Sequence, residues 1–275
     1  MIKNLAKSCI LIFLIFFISL EAFGREQETN LVYSMPRISP LYPPPPLQFR
    51  DNRILTIIFR STPRTLEKLV PKPLVPNPLN LMFIYIAQLN IQVSETERYP
   101  YLEAGIGVPA SFSQTLGNYA VYLYLDKTLP IVGGREIWGW PKKDASISFV
   151  EKDGKISASL ERLGFPLISV NASLEKKIEP FPESPSMPWY NLKIIPSVER
   201  EAPPEVHQLT STANSDTKIK EHYICKAGLE FKASPWDPLA DIDVLEITDV
   251  TFQVSDFVMN FGKVIYDYLD EKNRE

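Results

Sequence analysis

Along most of this chain apolar and polar side chains alternate, or apolar ones cluster in short runs, and few stretches hold the spacing of a helix. ILTIIFR (54–60) is β-branched and aromatic, and it predicts a strand. STPRTLEKLVP (61–71) predicts a short helix: Ser61 or Thr62 caps it, Pro63 sits in its first turn, and Pro71 stops it. Leu66, Leu69 and Val70 give that helix one apolar face. LNLMFIYIAQLNIQV (79–93) is long and apolar, as a buried strand would be. Further strands are expected at 103–112, 118–125, 145–152 and 155–162, the last two flanking the hairpin signal Asp153-Gly154. Segments 167–178, 191–198 and 244–257 add three more, and VMNFGKVIYDYLDE (258–271) is expected to close the fold as a helix. Strands dominate. The pattern predicts one mainly antiparallel β domain with a few helices (α+β), its sheet curved or closed, over residues 51–275.

The first 50 residues are different. Lys3 and Lys7 precede an uncharged apolar run from Cys9 to Leu20, and Ala22-Phe23-Gly24 offers small residues beyond it. That run is short for a spanning helix, which needs about 20 residues, so residues 1–24 are expected to be a signal peptide, with an uncleaved anchor as the alternative. The mature chain would be exported, and a membrane would be met only through that segment. Residues 25–50 are expected to form an extended arm, because Pro36, Pro40 and the run Pro43–Pro46 forbid helix. Such an arm is a stiff lead-in to the fold or a polyproline ligand.

Composition narrows the chemistry. Against 29 Lys+Arg stand 33 Asp+Glu, a net charge of −4 that argues against a nucleic-acid partner. Two histidines, His207 and His222, cannot build a multi-histidine metal site, and neither stands beside a recognisable nucleophile. Removing the signal segment would remove Cys9 and leave Cys225 alone, expected as a buried small hydrophobe. No phosphate loop, dinucleotide fingerprint, CxxC or HExxH occurs.

One segment stands out: GGREIWGWPKKD, from Gly133 to Asp144. Its paired lysines are either a solvated doublet or an amine nucleophile. A lysine in water titrates at about 10.4, leaving roughly one in two thousand as free amine at pH 7. Burial among Trp138 and Trp140 would favour the free amine, and a second cation, Lys143, would push the same way. A free amine attacks ketones and forms a Schiff base. Arg135 and Glu136 are expected to anchor the turn, and the tryptophans to form pocket wall and core.

GREIWGWPKK resembles the signature of acetoacetate decarboxylases. The likeness extends through FRDNRILTIIFRSTPRTLEKLVPKPL, YLEAGIGVPASF, GNYAVYLYLDKTLPIVGGRE, NLKIIPSV and VIYDYL, covering the chain from about residue 47 onward. That family is itself the standing example of a lysine activated beside a second cation. The resemblance implies a cone-like, closed antiparallel β-barrel, usually in a homo-oligomer. It implies a small β-keto acid substrate and a mechanism without metal or organic cofactor. Lys142 matches the Schiff-base lysine and Lys143 its companion. Arg53 matches an arginine suited to holding the substrate carboxylate, and Glu103 a glutamate that positions the amine or moves protons. With Trp138 and Trp140, Phe83 is expected to line the pocket. In one respect this chain departs from the family. A second glutamate of well-known decarboxylases falls where Met82, Phe83 and Ile84 stand here, so a more apolar pocket is expected. Aldol or dehydratase chemistry through the same lysine, or an exported binding protein on the same fold, are the alternatives.

Overall fold

A computed structural model describes residues 34–179, 181 and 186–270. The expected signal peptide, Cys9 and the arm up to residue 33 lie outside the described residues.

Strand β1 (Leu47–Arg60) is followed by helix α1 (Pro63–Leu69) and by β2 (Val75–Pro76), β3 (Leu81–Gln92), β4 (Arg98–Phe112) and β5 (Thr115–Leu125). A six-residue helix, α2 (Thr128–Gly133), runs into a π-helical turn (Gly134–Trp138) and then β6 (Lys142–Asp144). The remainder is β7 (Ser146–Lys152), β8 (Lys155–Arg162), β9 (Phe165–Lys177), β10 (Trp189–Ile195), β11 (Val206–Thr212), β12 (Asn214–Phe231), a 3₁₀ turn (Leu239–Asp241), β13 (Glu246–Met259) and β14 (Lys263–Asp267).

These strands form one 14-stranded sheet in the order β14-β11-β10-β5-β4-β3-β1-β13-β12-β9-β8-β7, with β2 on β4 and β6 on β5. Pairing is antiparallel except at β10–β5 and β5–β6. The mainly β expectation holds, but the closed barrel does not form among the described residues: the path ends on β14 and β7, which do not pair. Instead β7 lies back against β3 and β4. Leu55, Ile57 and Phe59 of β1, Met82, Ile84 and Ile86 of β3, and Ile106 and Val108 of β4 therefore share one core with Ile156 and Leu160 of β8 and Val170 of β9. Each of these side chains contributes about 1.5–3 kcal/mol by leaving water.

Because side chains alternate across a strand, the intervening residues of β1, β3 and β4 point to the opposite face. There a second cluster gathers Phe49, Ala87, Leu89, Tyr101, Leu123, Trp138 and Trp140. The functional cavity lies on this face.

Helix α1 forms as expected, with the Thr62 hydroxyl accepting the Thr65 backbone N–H. The closing helix does not form. β13 continues to Met259, and Lys263–Asp267 pairs antiparallel with β11. VIYD suits an edge strand, and Gly262 approaches β11 so closely that a Cβ would lie 2.7 Å from the Ser211 carbonyl oxygen. The strand β1 begins at Leu47, inside the segment expected as an arm, and Tyr42 is buried.

Candidate active site

The segment GGREIWGWPKKD folds into a tight support for one lysine. Backbone bonds from Gly139 to Arg135 (3.2 Å) and from Trp140 to Gly134 (3.1 Å) close the π-helical turn. Gly139 ends it in the left-handed region at φ 78°, packed so closely on Lys193 that a Cβ would fall 2.6 Å from its Cα. Arg135 Nη1 donates to the Lys142 carbonyl at 3.1 Å, and Glu136 accepts from the Tyr42 hydroxyl at 2.5 Å. Both residues thus anchor the turn, Glu136 by holding the end of the arm. Gly134 leaves room for the lysine itself: a Cβ there would lie 2.7 Å from Lys142 Cδ and 2.8 Å from Cε.

The three residues of β6 pair with β5, Lys142 opposite Leu123 and Lys143 opposite Tyr124. Neighbouring residues of a strand face opposite ways, so the lysines part. Lys142 is 6% exposed and turns into a cavity of about 450 Å³. Its Nζ stands 3.1 Å from Glu103 Oε2, and Glu103 is itself 4% exposed. The other carboxylate oxygen, Oε1, accepts from the Tyr85 hydroxyl at 2.5 Å. Nζ also lies 5.9 Å from the centre of the Tyr101 ring. Burial, reinforced by the Glu103 charge, pushes the Tyr85 and Tyr101 phenols well above the ordinary tyrosine range, so both remain O–H groups at neutral pH.

How Tyr85 reaches Glu103 is written in β4. Tyr85 pairs with Gly105 and Phe83 with Gly107 across the β3–β4 ladder. A Cβ on either glycine would overlap the aromatic ring opposite. The two glycines of EAGIGVP therefore let both rings lie across β4, and the Tyr85 hydroxyl arrives at Glu103, two residues along from Gly105.

Lys143 has a different environment. Its Nζ donates to Asp237 Oδ1 at 2.6 Å, and Asp237 also accepts from Arg162 Nη1 (2.9 Å) and the Tyr124 hydroxyl (3.0 Å). The expected companion cation is thus on the far face of β6, paired with a carboxylate. Asp237 is fully buried. Burial alone would raise its carboxyl, but the hydrogen bonds from Lys143, Arg162 and Tyr124 outweigh it and hold the group below the ordinary aspartate value. With a lowered folded-state value, the stabilisation is complete above the unfolded-state pKa of about 3.9 and is lost as pH falls through the folded-state one. Asp237→Ala, which leaves Lys143 without its carboxylate and Arg162 with Asp144 alone, should cost about 3 kcal/mol near neutral pH. Urea unfolding at pH 7 checks this, and the deficit should shrink in acid.

Two other expected site residues are also elsewhere. Arg53 shares the core-side face of β1 with Leu55 and Ile57; its Nε donates to Glu151 at 3.0 Å and its guanidinium lies 5.4 Å from the Phe252 ring centre. It does not line the cavity. Trp138 packs in the core behind the lysine, with Nε1 donating to the Asn260 carbonyl at 2.9 Å. Phe83 and Trp140 do line the cavity, as expected. Sequence inspection missed Tyr85, Tyr101, Trp189 and Gln253, which also line it. Tyr85 was the most findable, since it shares the face of Phe83 at a spacing of two. Trp189 packs edge-on to Phe83, Tyr85 and Trp140 at 5.6, 6.2 and 5.3 Å. It comes from β10, remote in sequence from all three.

A buried amine beside a buried carboxylate, both lining a largely apolar cavity, suits covalent chemistry on a carbonyl compound. Comparison with known proteins bears on which. The family profile described as Acetoacetate decarboxylase (ADC) matches residues 34–269. The acetoacetate decarboxylases of Burkholderia cenocepacia and Burkholderia ambifaria are each 34% identical over 248 residues, covering 86% of this chain and 95% of theirs. Among solved structures, acetoacetate decarboxylase from Legionella pneumophila superposes with a TM-score of 0.74 at 24% identity, over 86% of this chain and 95% of that one. The enduracididine biosynthesis enzyme MppR, complexed with pyruvate, superposes at 0.75 and 18%, over 86% and 98%.

Proposed function

Because this chain belongs to the acetoacetate decarboxylase family, and is a carboxy-lyase, we propose that it removes CO2 from a β-keto acid through a Schiff base on Lys142. The observation that carries this reading is the buried Lys142–Glu103 pair lining the cavity.

The steps follow from the groups present. Glu103 takes a proton from Lys142 Nζ across 3.1 Å. The free amine adds to the substrate ketone, and the resulting carbinolamine loses water to give an iminium. The bond to the carboxylate then breaks. Its electron pair moves toward the iminium nitrogen, CO2 departs, and an enamine remains. Protonation of the enamine carbon and hydrolysis of the new iminium release the ketone and restore the amine. Glu103 is the group within reach for these proton transfers, and the Tyr85 hydroxyl holds its other oxygen in place. The cavity contributes by its aromatic walls: a carboxylate against Phe83, Trp140 and Trp189 meets few hydrogen-bond donors, whereas departing CO2 is neutral.

A second reading draws on the fold neighbour MppR, one of whose structures holds the condensation product of pyruvate and imidazole 4-carboxaldehyde. The same iminium could there join carbons rather than lose CO2, and the uncharged Phe83 and Tyr85 on β3 leave space for that reading. Borohydride reduction separates both from a mere binding protein. With acetoacetate or another oxo acid, it should add a covalent mass to the peptide carrying Lys142. Release of CO2 identifies decarboxylation; carbon–carbon bond formation or water loss identifies the alternative. Absence of an adduct with every oxo acid tried would overturn the lysine chemistry.

A further inference from the structure

We propose that the substrate is a β-keto acid with an extended apolar chain, and that acetoacetate fills only the part of the cavity beside the lysine. This rests on the Schiff-base reading and specifies its substrate class.

The sheet register fixes the shape. Strands β1, β3, β4 and β5 form the cavity floor in successive rows. Leu89 and Tyr101 line one side of the amine; on its other side come Ile54 and Glu103, then Thr56, Tyr85 and Leu123, then Ile58 and Phe83, and last Leu81, Pro109 and Asn118. Pro109 lies six steps along β4 from Glu103, which at roughly 3.3 Å per residue is about 20 Å. Acetoacetate spans only a fraction of that length.

The chemistry of the lining points the same way. Lys142 and Glu103 are the only charged residues lining the cavity among those described, and the row of Leu81, Pro109 and Asn118 lies three rows away from Glu103. Around them Ile58, Phe83, Leu81, Pro109, Met187 and Trp189 give the walls an apolar majority, and Asn118, Ser186, Asn214, Thr217 and Gln253 add uncharged polar groups. A ligand that fits this arrangement is polar where the ketone meets the amine and apolar beyond it. Ile54, Thr56 and Ile58 are half-buried in the middle of a sheet whose alternate residues Leu55 and Ile57 are fully buried. They have apolar surface available for such a chain.

Straight-chain 3-oxo acids of four, eight and twelve carbons test this. Initial rates of CO2 release are measured with the full chain and corrected for spontaneous loss, alongside borohydride trapping of each. The eight-carbon acid should show kcat/KM at least about tenfold above acetoacetate, given the value of each buried methylene. Ile58→Trp, which fills the third row, should lower the ratio of eight-carbon to four-carbon kcat/KM by about tenfold; Ile58→Phe is the milder variant should the first not fold. A flat or falling series, with acetoacetate still trapped and turned over, would overturn the extended chain while leaving the lysine mechanism intact. If no acid is trapped and none loses CO2 above background, the Schiff-base reading falls and this inference with it.

Discussion

Lys142→Met should reduce decarboxylation to the uncatalysed background, a loss on the order of 10⁴-fold or more, as when an enzyme's covalent nucleophile is deleted. Methionine keeps the unbranched stem that fits against Gly134 and removes only the amine. Borohydride should then leave the peptide unlabelled. Lys142→Arg is the informative companion. It keeps a cation near Glu103 but offers no nucleophilic amine, so it should be equally inactive if the lysine attacks carbon. Turnover in either variant above about one tenth of wild type would show that the amine only positions substrate. Folding is verified by thermal unfolding, since the Met variant leaves Glu103 without the cation now 3.1 Å away.

Glu103→Gln should lower kcat by about 10²–10³-fold. The amide preserves the shape, and its carbonyl oxygen can still accept the Tyr85 hydroxyl, so packing is disturbed little. What disappears is a group that accepts and returns protons. Reduction with borohydride should still label Lys142, but more slowly, and the rate of labelling should rise toward alkaline pH as solvent takes over deprotonation. A purely structural role predicts instead lower stability with an unchanged pH profile. A kcat within about fivefold of wild type would remove Glu103 from the chemistry.

How much of this was legible in the chain depends on the distance over which each feature is decided. Strands β7 and β8 with their Asp153-Gly154 turn, and helix α1 with its Thr62 cap, are settled by neighbouring residues, and they appear where the pattern placed them. The segment at 258–271 misled because its apolar spacing is compatible with a helix; pairing with β11 and the close approach of Gly262 decide otherwise, and neither is local. The site divides in the same way. Lys142 and Glu103 were marked by motif, and the fold brings them together. Lys143 was misplaced although adjacency was correct, because β6 was not foreseen as a strand and its alternation sends the side chain to Asp237. Arg53 was misplaced for a related reason: it alternates with Ile54 on β1, and only the residue facing the second cluster can reach the cavity. Trp189 carries no local signal at all, since its role depends on β10 lying beside β5.

The parting of the two lysines has an evolutionary consequence. Lys142 faces Glu103 and the cavity, whereas Lys143 shares Asp237 with Arg162 and Tyr124, so adjacent codons answer to different neighbours. A change at 143 is felt by Asp237, which also holds Arg162 and Tyr124, so three further residues must accommodate it. A change at 142 is felt by Glu103 and by the cavity instead. A doublet that looks redundant in the chain therefore carries two separate constraints, one from the cavity and one from the buried Asp237 cluster.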